Sequence, residues 1–446
     1  MTAQILYWYH RIRTSFLFIP AVLVILFVAF AFGAIAVDAS GRSTGLVEAG
    51  WLLSMTPDGA RQLVSTIAGA TITVTSLVFS LTLVTLSLAS SQLGPRLIGS
   101  FMSDRLIQLA LGLFVGVFVF ALLVLAAISS RVGQTLVPSL SISLSVLLAI
   151  VCFLALIVFI HHVARFIQAD NVVARIGRDL IRAIDASAHA SFGNELVDDV
   201  RAAGAPAFAE DAVLLTAPDS GYVQAIDYDH AASCAEQNDV VIIIDVRPGQ
   251  FLIGGQIIGR VGPGAKSGDD IVAGILKAIV LGQERTMAQD LEFAFRAIVE
   301  VAVRALSPGV NDPNTAIACI NQLGGALAVV LEDEAVPNCR ADGDGRPRLI
   351  FDRLTVDGLI DTSFDEIRQA CAGHASVIIR LLEILTTLTG LARSNPQRKA
   401  IARHVAMVTR AAKAKLDEPD DRRDFVERLV AWRTLMYAQG TPVSEV

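Results

Sequence analysis

Apolar positions are unevenly distributed along this chain. Four long apolar runs, roughly Ser15–Val37, Thr66–Ala89, Leu106–Ile128 and Leu140–Ile160, crowd into the N-terminal third. Each reaches the ~20 residues that a helix needs to cross the hydrocarbon core of a bilayer. None carries Asp, Glu, Lys, Arg or His in its interior. The pattern predicts four transmembrane helices within residues 1–165. Small residues follow the first run ("AFGAIAVDAS"), as after a signal peptide. The run exceeds the ~7–15 residues of a signal core, so a retained span is expected.

Basic flanks set the expected orientation. Arg11 and Arg13 precede the first run, and Arg165, Arg175, Arg178 and Arg182 follow the fourth. Both termini are therefore expected in the cytoplasm, although Arg42 and Arg61 fall in the first outer loop. Tyr7, Trp8 and Tyr9 fit an interfacial aromatic anchor, and His161 and His162 an interfacial, solvated pair.

The second run differs from its neighbours. In "TIAGATITVTSLVFSLTLVTLSLASSQ", Thr73, Ser76, Ser80, Ser87 and Ser91 recur at helical spacing, and Thr71, Thr75, Thr82 and Thr85 are read as widening that face. Two readings stand. The hydroxyls line a permeation path, replacing part of an ion's hydration shell. Or they bond back to their own helix and let neighbours approach closely. Gly112 and Gly116 give the third run a small-xxx-small packing signal. With no charge inside the runs, a coupled pump or antiporter is disfavoured.

Beyond the fourth run the period changes. Phe166, Val173, Ile176, Leu180 and Ile184 form the stripe of an amphipathic helix, and "AAGAPAFAE" reads as a linker, which together fill residues 166–210. Residues 211–263 hold short β-rich runs cut by Ser220-Gly221, Pro248-Gly249 and Gly254-Gly255. The phrase "GYVQAID … DVRPGQFLIGGQIIGRV" is similar to the barrel-sandwich fold of biotinyl and lipoyl carrier domains. This segment contains no lysine to modify, so no covalent cofactor is expected.

Residues 264–446 are read as mainly helical, with one short β pair ("RPRLIFDRLTVDGLID"). Within them, "ALSPGVNDPNTA" ends one helix at Ser307-Pro308-Gly309 and opens the next at Asp312-Pro313. Such a corner is often purely structural, because Asn and Asp lock turns. The functional reading adds the polar set upstream. If the corner folds back, Glu284, Arg285, Gln289, Asp290, Ser307, Asn311 and Asp312, with Glu292 and Arg296 beside them, converge in a pocket whose free helix N-terminus suits a small anion.

Mean hydropathy is +0.57, while the net charge of −7 gives no sign of nucleic-acid binding. Cys152, Cys234, Cys319, Cys339 and Cys371 form no C-x-x-C pair, which disfavours zinc and a disulfide framework. His374 and His404 read as surface or core residues. No phosphate loop, dinucleotide fingerprint, H-E-x-x-H or nucleophile elbow is present. No enzymatic activity, metal or cofactor is expected.

The order of elements, with "SGYVQAID … RPGQF", Glu284–Thr286, Gln289-Asp290, "ALSPGVNDP" and Thr315-Ala316, resembles a bacterial family of predicted membrane proteins called domain of unknown function 2254. The resemblance implies a multi-pass inner-membrane protein with a cytoplasmic α+β region. It carries no activity to transfer. Two functions are expected to compete: a homo-oligomeric channel-like protein with a cytoplasmic regulatory domain, or a membrane-anchored ligand-binding or regulatory protein that transports nothing.

Overall fold

The computed structural model describes residues 16–41, 52–93, 104–131, 134–166, 169–189, 212–262, 268–286, 289–332, 338–371 and 373–440. The expected aromatic anchor, Arg11, Arg13, Arg42 and the linker at 202–210 lie outside them. The chain divides into two compact units, Met1–Asn171 and Val172–Val446.

The first unit holds four long helices: α1 (Phe18–Ala39), α2 (Pro57–Leu93), α3 (Arg105–Ala127) and α4 (Ser139–Phe166). A short hairpin, β1 (Ser129–Arg131) and β2 (Gln134–Leu136), precedes α4. Helix α3 is central and packs against the other three. Its glycines make this possible. A Cβ on Gly112 would come within 2.9 Å of the Pro20 Cα, and one on Gly116 within 2.2 Å of the Phe27 ring. The small-xxx-small spacing is therefore the seat of α1, as a packing signal predicts.

Polar residues fasten the ends of this bundle. At one end Asp38, the last-turn carboxylate of α1, accepts hydrogen bonds from the Leu140 and Ser141 N–H groups and from the Ser141 hydroxyl. It thereby caps α4 from another helix and satisfies donors that a helix start leaves open. Arg61 donates to the Ile128 carbonyl at the end of α3. At the other end Asp104 caps α3 through the Leu106 and Ile107 N–H groups and lies 3.1 Å from His162 Nε2. His162 is thus paired within the bundle, where simple solvation was expected.

The second unit opens with α5 (Ala169–His189), whose Val172, Val173, Ile176, Leu180 and Ile184 are buried. Then follow β3 (Val213–Thr216), β4 (Gly221–Ile226), α6 (Tyr228–Gln237), β5 (Val241–Ile244), β6 (Phe251–Leu252), β7 (Ile257–Gly262), α7 (Gly268–Leu276) and β8 (Ile279–Gly282). The remainder is α8 (Leu291–Ala305), α9 (Pro313–Glu332), β9 (Cys339–Ala341), β10 (Pro347–Phe351), α10 (Val356–Ala370), α11 (Ala375–Leu391), α12 (Asn395–Lys415) and α13 (Pro419–Ala438).

No barrel is formed by the described strands, which corrects the barrel-sandwich expectation. They make a five-stranded sheet, β3-β7-β5-β10-β9, and a three-stranded sheet, β6-β4-β8. The apolar run of β5 explains the difference. "VIII" is flanked on both sides, antiparallel by β7 and parallel by β10, a strand from far along the chain. Such a run suits a central strand better than the alternating wall of a small barrel. The parallel pair needs a long crossover, and β6, β7, α7, β8, α8, α9 and β9 occupy it. Helices α6 and α7 cover the sheets around Leu215, Ile226, Ile242 and Ile258.

Among the described residues five helices are long and apolar enough to cross a membrane, one more than the pattern predicted. The fifth is α9. Its mean hydropathy of 1.5 is the lowest of the five, and half of its apolar window is buried by this chain, against 17–44% in the others. It was missed because Asn314, Asn321 and Gln322 break its apolar run. Around it pack α8, α10 and α11.

Candidate functional site

Glu284, Thr286 and Gln289 extend the small sheet at its β4 strand. Gln289 Oε1 accepts from the Ile226 N–H at 2.9 Å, and its Nε2 donates to the Ile226 carbonyl at 3.2 Å. One amide thus supplies both bonds that a neighbouring strand would make. Gln224 Nε2 donates to the Glu284 carbonyl, and the Thr286 hydroxyl to that of Gln224. The Glu284 side chain is exposed.

Asp290, only 2% exposed, is the centre of this region. Arg285 grips it with two bonds, Nε to Oδ2 at 2.7 Å and a terminal nitrogen to Oδ1 at 3.0 Å. The same carboxylate caps α8 by accepting from the Phe293 N–H at 2.9 Å, and the Arg285 guanidinium lies 5.2 Å from the centre of the Phe293 ring. Burial pushes the Asp290 carboxyl above its ordinary pKa, against the pull of the Phe293 N–H and of Arg285. The RPGQ turn closes over it: Gly249, at φ +92°, has room only for hydrogen where a Cβ would stand 2.1 Å from Asp290 Oδ2.

A second line of charge runs beside it. Arg247, from the same turn, reaches Asp352 at 3.0 Å and Glu292 at 3.5 Å, while Arg296 joins Glu292 at 2.8 Å to Glu366 at 3.0 Å. Burial raises the Glu292 carboxyl, but Arg296, Arg285 and Arg247 outweigh it and hold the group below its ordinary value. The arrangement joins the β region to α8 and α10 by paired charges.

The helix corner lies elsewhere. Asp290 caps the start of α8, and Asp312 follows its end, about 22 Å away for a 15-residue helix. Asp312 accepts from the Asn314 and Thr315 N–H groups at 3.1 Å and from the Thr315 hydroxyl at 2.6 Å. Its own N–H donates to the Ala305 carbonyl. The Thr315 hydroxyl, ahead of the two N–H groups, holds the Asp312 carboxyl below its ordinary pKa. Ser307 donates to the Arg304 carbonyl, and Asn311, exposed at φ +49°, is the left-handed residue of the turn. Of the expected set, Arg285, Gln289 and Asp290 come together, while Ser307, Asn311 and Asp312 form a separate corner.

In α2 the hydroxyls divide into two faces. Thr71, Thr75, Thr82 and Thr85 are buried, each donating to the carbonyl four residues earlier. Thr73, Ser76, Ser80 and Ser87 are exposed on the outside of the bundle, and Ser91 lies where no side chain is described. At about 100° per residue the two sets are on opposite sides of the helix, so the threonines do not widen the serine face.

Asp38, Asp104 and Asp361 were not singled out in the sequence. Asp38 and Asp104 at run boundaries look like solvated ends and Asp361 like a surface residue of its helix, and their partners Ser141, His162 and His404 lie far along the chain. Asp361, for instance, lies 2.6 Å from Nε2 of His404, a fully buried histidine.

A bundle of long apolar helices, followed along the chain by a mixed α/β unit, marks a membrane protein. The comparisons agree. A family model described as predicted membrane protein, domain of unknown function 2254, matches residues 13–387, and the chain belongs to that family. Among its relatives are uncharacterised proteins from Mycobacterium bovis and Mycobacterium tuberculosis, each 30% identical over 374 residues, covering 82% of this chain and 71% of theirs. No solved structure matches.

Proposed function

We propose that this protein is a homo-oligomeric, channel-like protein of the bacterial inner membrane, with α1–α4 as its four spans, both termini cytoplasmic, and the second unit regulatory. The observation that carries this reading is the outward face of α2. Thr73, Ser76, Ser80 and Ser87 face away from their own bundle, and lipid offers hydroxyls nothing that a neighbouring subunit or water would not improve. Copies of α2 meeting along this face make a narrow, uncharged path. Any ion preference then comes from hydroxyl and backbone dipoles, so selectivity is weak. We read α9 as a core helix of the second unit, since other helices of that unit surround it.

The test combines thiol accessibility with conductance. Cysteines at Ser76, Ser80 and Ser87, in a chain otherwise free of cysteine, react with small water-soluble thiol reagents, and the purified protein conducts in planar bilayers. Protection at all three positions with no conductance leaves the membrane-anchored regulatory protein as the better reading. Reporter fusions at Val446 check the orientation: activity as a periplasmic reporter would contradict it.

A further inference from the structure

A cavity of about 280 Å³ lies between α6 and the β9–β10 hairpin, apart from the charged seam described above. Asp229, Ser233 and Glu236, on one face of α6, form one wall, and Arg340, Asp342 and Arg348 the other. The two arginine side chains are only 7% and 11% exposed. Asp342 is buried and committed: it accepts from the Asp344 and Arg346 N–H groups and from Arg348 Nε at 2.7 Å.

Each arginine also has a partner of another kind. Arg340 pairs with Asp229 and Arg348 with Asp239, and these carboxylates are 76% and 84% exposed. A hydrated carboxylate loses little by turning into water. A guanidinium held inside the protein loses much if nothing replaces its partner. An oxyacid group entering the cavity can therefore displace Asp229 and Asp239 and take both guanidiniums, in the forked geometry that arginine favours for carboxylate and phosphate.

Charge decides what else the ligand carries. The lining has three carboxylates, Asp229, Glu236 and Asp342, against two guanidiniums. Once Asp229 turns out, Glu236 and Asp342 balance the two guanidiniums, so a plain anion would leave the site net negative. Glu236 is exposed and pairs with no described cation. It stands one to two helical turns along the same face from Asp229, positioned to receive a positive group.

We propose that this cavity binds a small zwitterion, with its anionic oxyacid group on Arg340 and Arg348 and its ammonium group on Glu236. The proposal does not depend on the second span or on transport.

The experiment is calorimetric titration of the full-length chain in detergent with phosphoethanolamine, glycine, inorganic phosphate and ethanolamine. Phosphoethanolamine or glycine binds, and which of the two is tighter tells whether phosphate or carboxylate is the group recognised. Inorganic phosphate binds at least about tenfold more weakly than the better zwitterion, and ethanolamine does not bind. Glu236→Gln, at an exposed position that leaves the fold alone, weakens the zwitterion about tenfold and does not weaken phosphate. Ser233→Trp, also exposed, fills the cavity and abolishes binding. Arg340→Gln with Arg348→Gln abolishes it too, provided the variant unfolds cooperatively as the parent does. No binding of either zwitterion at millimolar concentration overturns the proposal. So does phosphate binding as tightly as both, or binding that survives Ser233→Trp.

Discussion

A Cβ on Gly249 would stand 2.1 Å from Asp290 Oδ2, so the RPGQ turn and the start of α8 meet with no space for a side chain. Gly249 also sits at φ +92°, which an L side chain adopts only with strain. Gly249→Ala should cost about 1–3 kcal/mol from backbone strain, with the steric overlap adding to it. Thermal unfolding of the solubilised protein measures this. An unchanged midpoint would mean that the turn does not close over Asp290.

Arg285 holds a carboxylate that burial alone would push toward its neutral form. Removing it by Arg285→Ala should cost on the order of 3 kcal/mol at neutral pH, since it strands a buried charge. The pH dependence distinguishes this from lost packing. A carboxyl whose folded pKa lies above its unfolded value destabilises the fold as pH rises through that interval. Without Arg285 the folded value rises further and the interval widens. The gap between variant and parent should therefore narrow as pH falls from neutrality through the variant's folded value; a gap that stays constant down to the acid limit of folding would assign the loss to packing.

Asp312 behaves oppositely. Its folded pKa is lowered, so the cap contributes fully above the unfolded value of about 3.9 and is lost as pH falls through the folded value. Asp312→Ala should cost about 0.5–2 kcal/mol near neutrality and progressively less as pH falls below about 3.9. A loss that does not change as pH falls would show that the carboxylate charge plays no part in the cap.

How far these features were legible in the sequence varies by region. The four runs, their apolar interiors and the packing signal at Gly112 and Gly116 follow from local pattern, because bilayer thickness and close packing act on residue type; that α1 is the partner did not. The Asp312 cap was also legible, since Asn-Asp-Pro specifies a helix start within four residues. The meeting of Gly249 with Asp290, the Asp38 cap on α4 and the β5–β10 pair were not. Each joins residues tens of positions apart, and nothing local shows that an aspartate ending one helix caps the start of another. The two hydroxyl faces of α2 were separable by the 100° rule, yet burial was needed to say which faces inward.

The seat of α1 on α3 is testable in the same way. At Gly112 a Cβ would meet the Leu23 side chain at 2.7 Å and also the Pro20 main chain at 2.9 Å, which cannot swing aside as a side chain can. Gly112→Ala should force the helices apart at a cost of about 1–3 kcal/mol. Gly33, whose Cβ would meet nothing within 4 Å, is the control: Gly33→Ala should leave the unfolding midpoint unchanged or raise it. Equal effects at the two glycines would contradict this packing.

The central proposal is that the outward hydroxyl face of α2 meets its counterpart in another copy. Disulfide cross-linking in native membranes tests this most directly, with all five native cysteines replaced and a single cysteine at Ser80 or at Phe153. Both positions are exposed on the isolated chain, Phe153 on the apolar outside of α4. The account predicts oxidised dimers from Ser80→Cys and none from Phe153→Cys. Cross-linking at Phe153 alone, or at neither position, would contradict it.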